Sequence, residues 1–283
     1  NKTLDRSKIK TLIVDDSETI RDLLAKIISS DPNFEIIGKA KDAFEAEKIM
    51  KQTKPDLITL DIHMPGKTGV EFLKEFQSKQ FIPTVMISAL SHEDGPFVME
   101  ALAAGAIDYI KKPEFKELTK LTPIIHERLK NAAKAKKAKT RIGQKRLLTN
   151  GAIDRDHVIL IGASTGGTEA IRSLLESLPK EIPPILIVQH IPEVFSKAFA
   201  DRLNSLMPFE VKEAVHEELV TPNKVLVAPG GKQMGIKIIG ERIIIQITED
   251  PMMNRHRPSV DYLFKSAYEQ KLKNATAVVL TGM

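Results

Sequence analysis

Cysteine is absent from the 283 residues, and so is tryptophan. Without thiols there is no disulfide framework and no thiolate metal site, a composition that fits a cytoplasmic protein. No apolar run approaches the roughly 20 residues that cross a bilayer, so membrane insertion is not expected. No signal-peptide pattern opens the sequence. Acids are missing from one stretch above all, residues 130–146, which hold eight Lys and Arg. Without those eight, the formal net charge of +5 becomes −3. The basicity therefore belongs to one segment, and such charge runs are usually solvated. That segment carries no aromatic residue on which a base could stack, so no nucleic-acid partner is expected.

What is present is a repeated alternation. Short branched apolar runs at 11–14, 35–40, 57–60, 84–87 and 108–110 read as buried strands, and amphipathic segments follow each, the last at 115–128. Five strands alternating with five helices predict a doubly wound parallel sheet. In such a sheet, functional groups gather past the C-terminal ends of the strands. Asp15, Asp16 and Asp61 all fall there, as do Ser88 and Lys112. Three carboxylates so close repel one another unless a hard cation such as Mg²⁺ bridges them. A neutralised Asp61 could attack a phosphoryl donor while Lys112 and Ser88 hold the transferred oxygens.

Residues 129–156 read as a polar, basic linker whose Ala/Lys part can extend the preceding helix as a spacer. A second series then begins. Val158-Ile159-Leu160-Ile161 is a buried strand, Gly162-Ala163-Ser164-Thr165-Gly166-Gly167 a turn, and 168–178 a helix. The spacing Gly162-x-Ser164-x-Gly166 fits a nucleophile elbow in which the next backbone N–H faces an oxyanion. It also fits a phosphate-binding turn or a packing turn. Strands follow at 184–188, 210–214, 224–228 and 275–280, with helices at 194–206 and 259–268 and a β-hairpin at 235–247. Of the seven histidines, His190 directly follows a buried strand and so shares an edge with Ser164, the placement of a general base. His256, before the last helix, could line the same cleft. Asp201, Asp250 and Asp261 do not follow strands in that way.

Two resemblances sharpen these readings. Ile13-Val14-Asp15-Asp16, Asp61 with Met64-Pro65 and Gly69, Ser88-Ala89 and Tyr109-x-x-Lys112-Pro113 resemble a response-regulator receiver domain. The resemblance implies phosphorylation of Asp61 by a chemotaxis histidine kinase and Mg²⁺ among Asp15, Asp16, Asp61 and the His63 carbonyl. It also implies Ser88 and Tyr109 as the switch pair, beside Lys112. The second set is Ile161-Gly162-x-Ser164-Thr165-Gly166-Gly167, Gln189-His190-x-Pro192, Phe199-Ala200-x-Arg202-Leu203, Ala228-Pro229-Gly230-Gly231, Arg257-Pro258-Ser259-Val260-Asp261 and Leu280-Thr281-Gly282-Met283. These resemble the catalytic domain of the chemotaxis response-regulator methylesterases. That implies hydrolysis of glutamyl methyl esters on the methylated cytoplasmic helices of chemoreceptors, and deamidation of receptor glutamines. Ser164 would be the nucleophile and His190 the base, with Thr165 and Met283 at the oxyanion or cleft and no cofactor in the esterase domain. The family's triad aspartate follows the Thr-Gly-Met signature by a few residues, so the acid is expected just beyond Met283, with Asp261 the fallback.

The expected architecture is α/β throughout. It comprises a flavodoxin-like receiver at 1–128, the linker at 129–156, and a Rossmann-like esterase domain with a β-hairpin at 157–283. The unphosphorylated receiver is expected to restrain the esterase. Two other outputs fit less well. A dinucleotide-dependent oxidoreductase wants an acid after its second strand, where this chain has Gln189-His190. A DNA-binding regulator needs a helix-turn-helix or winged output.

Overall fold

The structure, a computed structural model, describes residues 8–89, 91, 93–114, 116, 118–135 and 154–281. Phe115, most of the basic linker, Gly282 and Met283 therefore lie outside the described residues. The chain divides into two compact units, 1–139 and 140–283.

In the first unit, strands β1 (Ile9–Val14), β2 (Phe34–Ala40), β3 (Leu57–Asp61), β4 (Thr84–Ser88) and β5 (Asp108–Lys111) form one sheet. Its order is β2-β1-β3-β4-β5, and every pairing is parallel. The strands alternate with helices α1 (Glu18–Ser29), α2 (Ala43–Gln52), α3 (Gly69–Lys79), α4 (Asp94–Ala103) and α5 (Leu118–Ala133). Parallel strands covered on both faces must be apolar almost throughout, and β3 and β4 are buried at every position. Local chemistry starts the first three helices. Ser17 and Asp42 accept from the amides of Ile20 and Glu45, and Thr68 with Glu71 closes a capping box. Helix α5 runs on to Ala133 because Leu129 and Ala132 still bury against the first core, beside Ile125 and Leu24.

The second unit pairs β6 (Val158–Ala163), β7 (Ile185–Gln189), β8 (Glu210–Glu213), β9 (Lys224–Val227) and β12 (Ala275–Val279) in a parallel sheet of order β12-β6-β7-β9-β8. Helices α6 (Gly167–Glu176), α7 (Glu193–Leu206) and α8 (Val260–Glu269) accompany it. Strands β10 (Gln233–Ile239) and β11 (Arg242–Thr248) pair antiparallel as the expected hairpin. Its Met234, Ile236 and Ile245 join Leu263 and Ala267 of α8 in the second core.

One glycine of the first unit is fixed by space. A Cβ on Gly69 would stand 1.9 Å from the carbonyl oxygen of Asp61, so the start of α3 packs directly on the backbone that carries the aspartate. Gly69→Ala is expected to cost the first unit roughly 2–3 kcal/mol, read as an earlier unfolding transition in urea. An unchanged transition would show that this approach can relax without cost.

Candidate functional site

Strands β6 and β7 are neighbours, and their last paired residues are Ala163 and Gln189. The next residues, Ser164 and His190, therefore leave the sheet together. Ser164 Oγ lies 3.0 Å from His190 Nδ1. With Nδ1 accepting the hydroxyl proton, the ring carries its own proton on Nε2. Gln189 Nε2 donates to the Ser164 carbonyl at 2.9 Å, and the Ser164 amide donates to the Thr281 carbonyl at 3.0 Å. The serine is thus held from both sides. The left-handed residue of this turn is Gly166, at φ +74°, and Ser164 itself is not in that region. Left-handed backbone thus falls two residues past the serine, where glycine carries it without steric cost. The Thr165 carbonyl accepts from Thr281 Oγ1 at 2.9 Å. Among the described residues the Thr165 amide makes no hydrogen bond.

His256 meets the base directly. Its ring lies on that of His190, with centroids 3.6 Å apart and planes 7° from parallel. The acids weighed as alternatives are engaged elsewhere. Asp201 pairs with Lys197, Asp250 accepts from the Tyr262 hydroxyl, and Asp261 accepts from the Asn254 side-chain amide.

In the first unit, oxygens of Asp15, Asp16 and Asp61 lie within 4.8 Å of one another. Asp15 and Asp61 are buried and Asp16 is exposed. Lys112 Nζ stands 2.8 Å from Asp61 Oδ2 and 3.1 Å from Asp15 Oδ2. Burial pulls the Lys112 ammonium down, but its bond to Asp61 and the charges of Asp61 and Asp15 outweigh this and leave it raised. Burial pushes Asp61 up to about 6; Lys112 opposes this and the Asp15 charge adds to it. One ammonium thus serves two buried carboxylates. Among the described residues Asp15 Oδ2 is buried without a hydrogen bond, 3.1 Å from that ammonium. An all-oxygen set with surplus negative charge fits a hard divalent cation.

Family models match both units. The CheB methylesterase model matches residues 159–283, and the response regulator receiver domain model matches residues 11–122. The protein-glutamate methylesterase/protein-glutamine glutaminase of Chromohalobacter salexigens is 41% identical over 98% of this chain and 80% of its own length. This chain belongs to that family. A relative in Bradyrhizobium diazoefficiens, from its group 3 operon, is 39% identical over 99% of this chain and 82% of its own length. The crystal structure of the Thermotoga maritima CheB methylesterase catalytic domain is similar at 37% identity and TM-score 0.43, covering 45% of this chain and 68% of that one.

Within the methylesterase unit, then, Ser164, Thr165 and His190 are brought together, and Met283 lies outside the described residues. Within the receiver unit, Asp15, Asp16, Asp61 and Lys112 converge. The His63 amide approaches Asp61 Oδ1 at 3.4 Å. Tyr109 is buried, with the Arg128 guanidinium 6.0 Å from its ring centroid. Ser88 Oγ donates to Asp94 Oδ2 at 2.6 Å, and Asp94 Oδ1 bonds His63 Nε2 at 2.6 Å. Burial would raise the Asp94 carboxyl, but the bonds from Ser88, His63 and the Ser91 amide outweigh it and hold it below its ordinary value. Sequence reasoning missed Asp94. It opens α4 without following a strand, and only its place at a helix start marked it.

The position of Asp61 sets a pH dependence. An unfolded aspartate titrates near 3.8 and the folded one near 6, so the folded state holds this proton more tightly. Asp61's contribution to stability therefore rises as pH falls from about 6 to about 4, and at neutral pH its ionised form costs on the order of 3 kcal/mol. Asp61→Asn is expected to stabilise the receiver unit at pH 7 by roughly 1–3 kcal/mol and to flatten that part of the profile. Urea unfolding at pH 5 and pH 7 without divalent cation measures it; superimposable wild-type and variant curves would contradict the assignment.

Proposed function

We propose that this protein hydrolyses glutamyl methyl esters on chemoreceptors, deamidates receptor glutamines, and is activated by phosphorylation of Asp61 by a chemotaxis histidine kinase. The observation that carries this reading is the 3.0 Å contact of Ser164 Oγ with His190 Nδ1 at one sheet edge. It lies in a chain 41% identical to a protein-glutamate methylesterase/protein-glutamine glutaminase. No helix among the described residues is long and apolar enough to cross a membrane, in keeping with action on the cytoplasmic helices of receptors from the cytoplasm.

The steps follow from the geometry. Ser164 Oγ attacks the ester carbonyl carbon as its proton passes to His190 Nδ1, and the carbonyl oxygen becomes an oxyanion. The Thr165 amide faces that charge, with Met283 the second residue read to line the cleft. The oxyanion collapses, the C–O bond to methanol breaks, and methanol takes the proton from His190. Water then gives a proton to Nδ1 and attacks the acyl-enzyme, releasing glutamate and restoring the serine. A glutamine substrate follows the same course with ammonia as leaving group. The esterase unit needs no cofactor for this.

In the receiver unit, the Asp15, Asp16 and Asp61 carboxylates and the His63 carbonyl would hold Mg²⁺, which when bound supplies positive charge to the incoming phosphoryl oxygens. The Asp61 carboxylate attacks the phosphorus of the kinase's phosphohistidine, the P–N bond breaks and the kinase's imidazole leaves, while Lys112 and the Ser88 hydroxyl hold the transferred oxygens. Ser88 must leave Asp94 to do so, and its displacement with that of Tyr109 is the switch.

With methyl-labelled receptor, the full chain is expected to release methanol, faster after addition of a phosphodonor. Ser164→Ala should lower release by about a thousandfold or more. Asp61→Asn should keep the basal rate and lose the stimulation. Release by Ser164→Ala at the wild-type rate would end the nucleophile assignment, and stimulation surviving in Asp61→Asn would end the phosphorylation-site assignment.

A further inference from the structure

The stacking of two histidines in the active site calls for an explanation, because the proposed reaction uses only one. Aromatic pairs ordinarily sit offset or edge-on with centroids 4.5–7 Å apart. Here the centroids are 3.6 Å apart and the planes nearly parallel. A contact that close is held by its surroundings. Met253 and His256 exchange both backbone hydrogen bonds, at 3.1 and 3.0 Å, across Asn254 and Arg255, whose φ angles are +51° and +67°. That is the backbone of a two-residue turn of type I′, built without glycine. Asparagine tolerates the left-handed region; arginine does so only under constraint.

The constraint is visible on both sides of the turn. Gln233 is fully buried. Its Nε2 donates to the carbonyls of His256 at 3.2 Å and Pro251 at 3.1 Å, and its Oε1 accepts from the Ser259 amide at 2.9 Å. The Asn254 side-chain amide bonds the Asp261 carboxylate. Arg257 Nη1 donates to the carbonyls of Glu249 at 3.1 Å and Asp250 at 3.4 Å, and its own carbonyl accepts from Gly231 at 3.2 Å. Strained backbone persists where the surroundings over-determine it, and it concentrates at functional sites. What this turn delivers is one ring onto the face of His190.

We propose that His256 is a positioning residue that fixes the ring plane of the base His190, an inference that rests on the Ser164–His190 reading. The imidazole turns about Cβ–Cγ on a broad two-fold torsion, and because Nδ1 lies off that axis any such turn carries it away from Ser164 Oγ. The stacked ring removes that freedom, since any large rotation drives the edge of His190 into the face of His256. Nδ1 is thereby kept aimed at the serine hydroxyl through both proton transfers, and misplacement of about 1 Å can cost on the order of a hundredfold in rate.

The test uses the full chain and a fluorophosphonate, which forms a bond from Ser164 Oγ to phosphorus and expels fluoride as the serine proton passes to His190. Its maximal rate of inactivation reports the serine–base pair, and its half-saturating concentration reports binding. His256→Ala is expected to lower the maximal rate about tenfold or more without moving the half-saturating concentration or the thermal midpoint. His256→Phe, which keeps a flat ring, should recover the rate to within about threefold. Inactivation of His256→Ala at the wild-type rate would overturn the proposal, as would equal losses in Ala and Phe variants that keep the wild-type midpoint. Labelling of Ser164→Ala at the wild-type rate would instead overturn the Ser164–His190 reading beneath it.

Discussion

Strands β6 and β7 run parallel and pair in register from Ile159 with Ile185 to Ala163 with Gln189. Two side chains 26 residues apart in sequence therefore reach hydrogen-bond distance with no loop to span. The same device operates in the receiver unit, where Asp15 follows β1, Asp61 ends β3 and Lys112 follows β5. In both units the buried strands fix position. The remaining contacts refine orientation, as Gln189 does for the Ser164 carbonyl and Arg21 does for the carbonyls of Asp15 and Asp16, at 2.7 and 3.0 Å.

The two sites differ in how they manage charge. Asp61 is buried beside Asp15 with one lysine between them, an arrangement with negative charge in excess. Burial raises its proton affinity and the Asp15 charge adds to that, and a cation or a proton relieves the charge. Asp94, another buried carboxylate of this unit, is satisfied instead by hydrogen bonds from Ser88, Ser91 and His63. The Ser88 hydroxyl is thus tied to a carboxylate that prefers to stay ionised. A phosphoryl group at Asp61 would have to compete with that bond for it, which makes Asp94 part of the threshold for switching in the proposed mechanism.

How much of this could be read from the sequence follows from what sets each position. The inner parallel strands are buried, branched apolar runs whatever their neighbours, so they were legible, and with them the residues at their ends: Asp15, Asp61, Ser88, Ser164 and His190. Helix ends set by caps, such as Thr68 with Glu71, were legible within a residue or two. The stack of His256 on His190 was not. It depends on a turn of two left-handed residues other than glycine, tied to a buried glutamine about 20 residues away, and neither leaves a periodic trace. Nor was Asp94 legible, because Glu93 beside it is an equally good helix-start acid.

The chemistry of the two proposed nucleophiles accounts for the difference in what surrounds them. A carboxylate that titrates near 6 is already mostly ionised at neutral pH. It needs no base, only countercharge, and Lys112 with a cation supplies it. A serine hydroxyl is not ionised and must hand its proton to a base at the moment of attack. Its partner therefore has to be held in orientation as well as in place. This is why the receiver site is built from charges at short range, whereas the serine site is backed by a buried polar scaffold running from Gln233 through the 253–256 turn to the imidazole of His190. Charge acts over several ångströms and tolerates small displacements. Proton transfer along a single hydrogen bond does not, and the strained backbone lies where that tolerance is smallest.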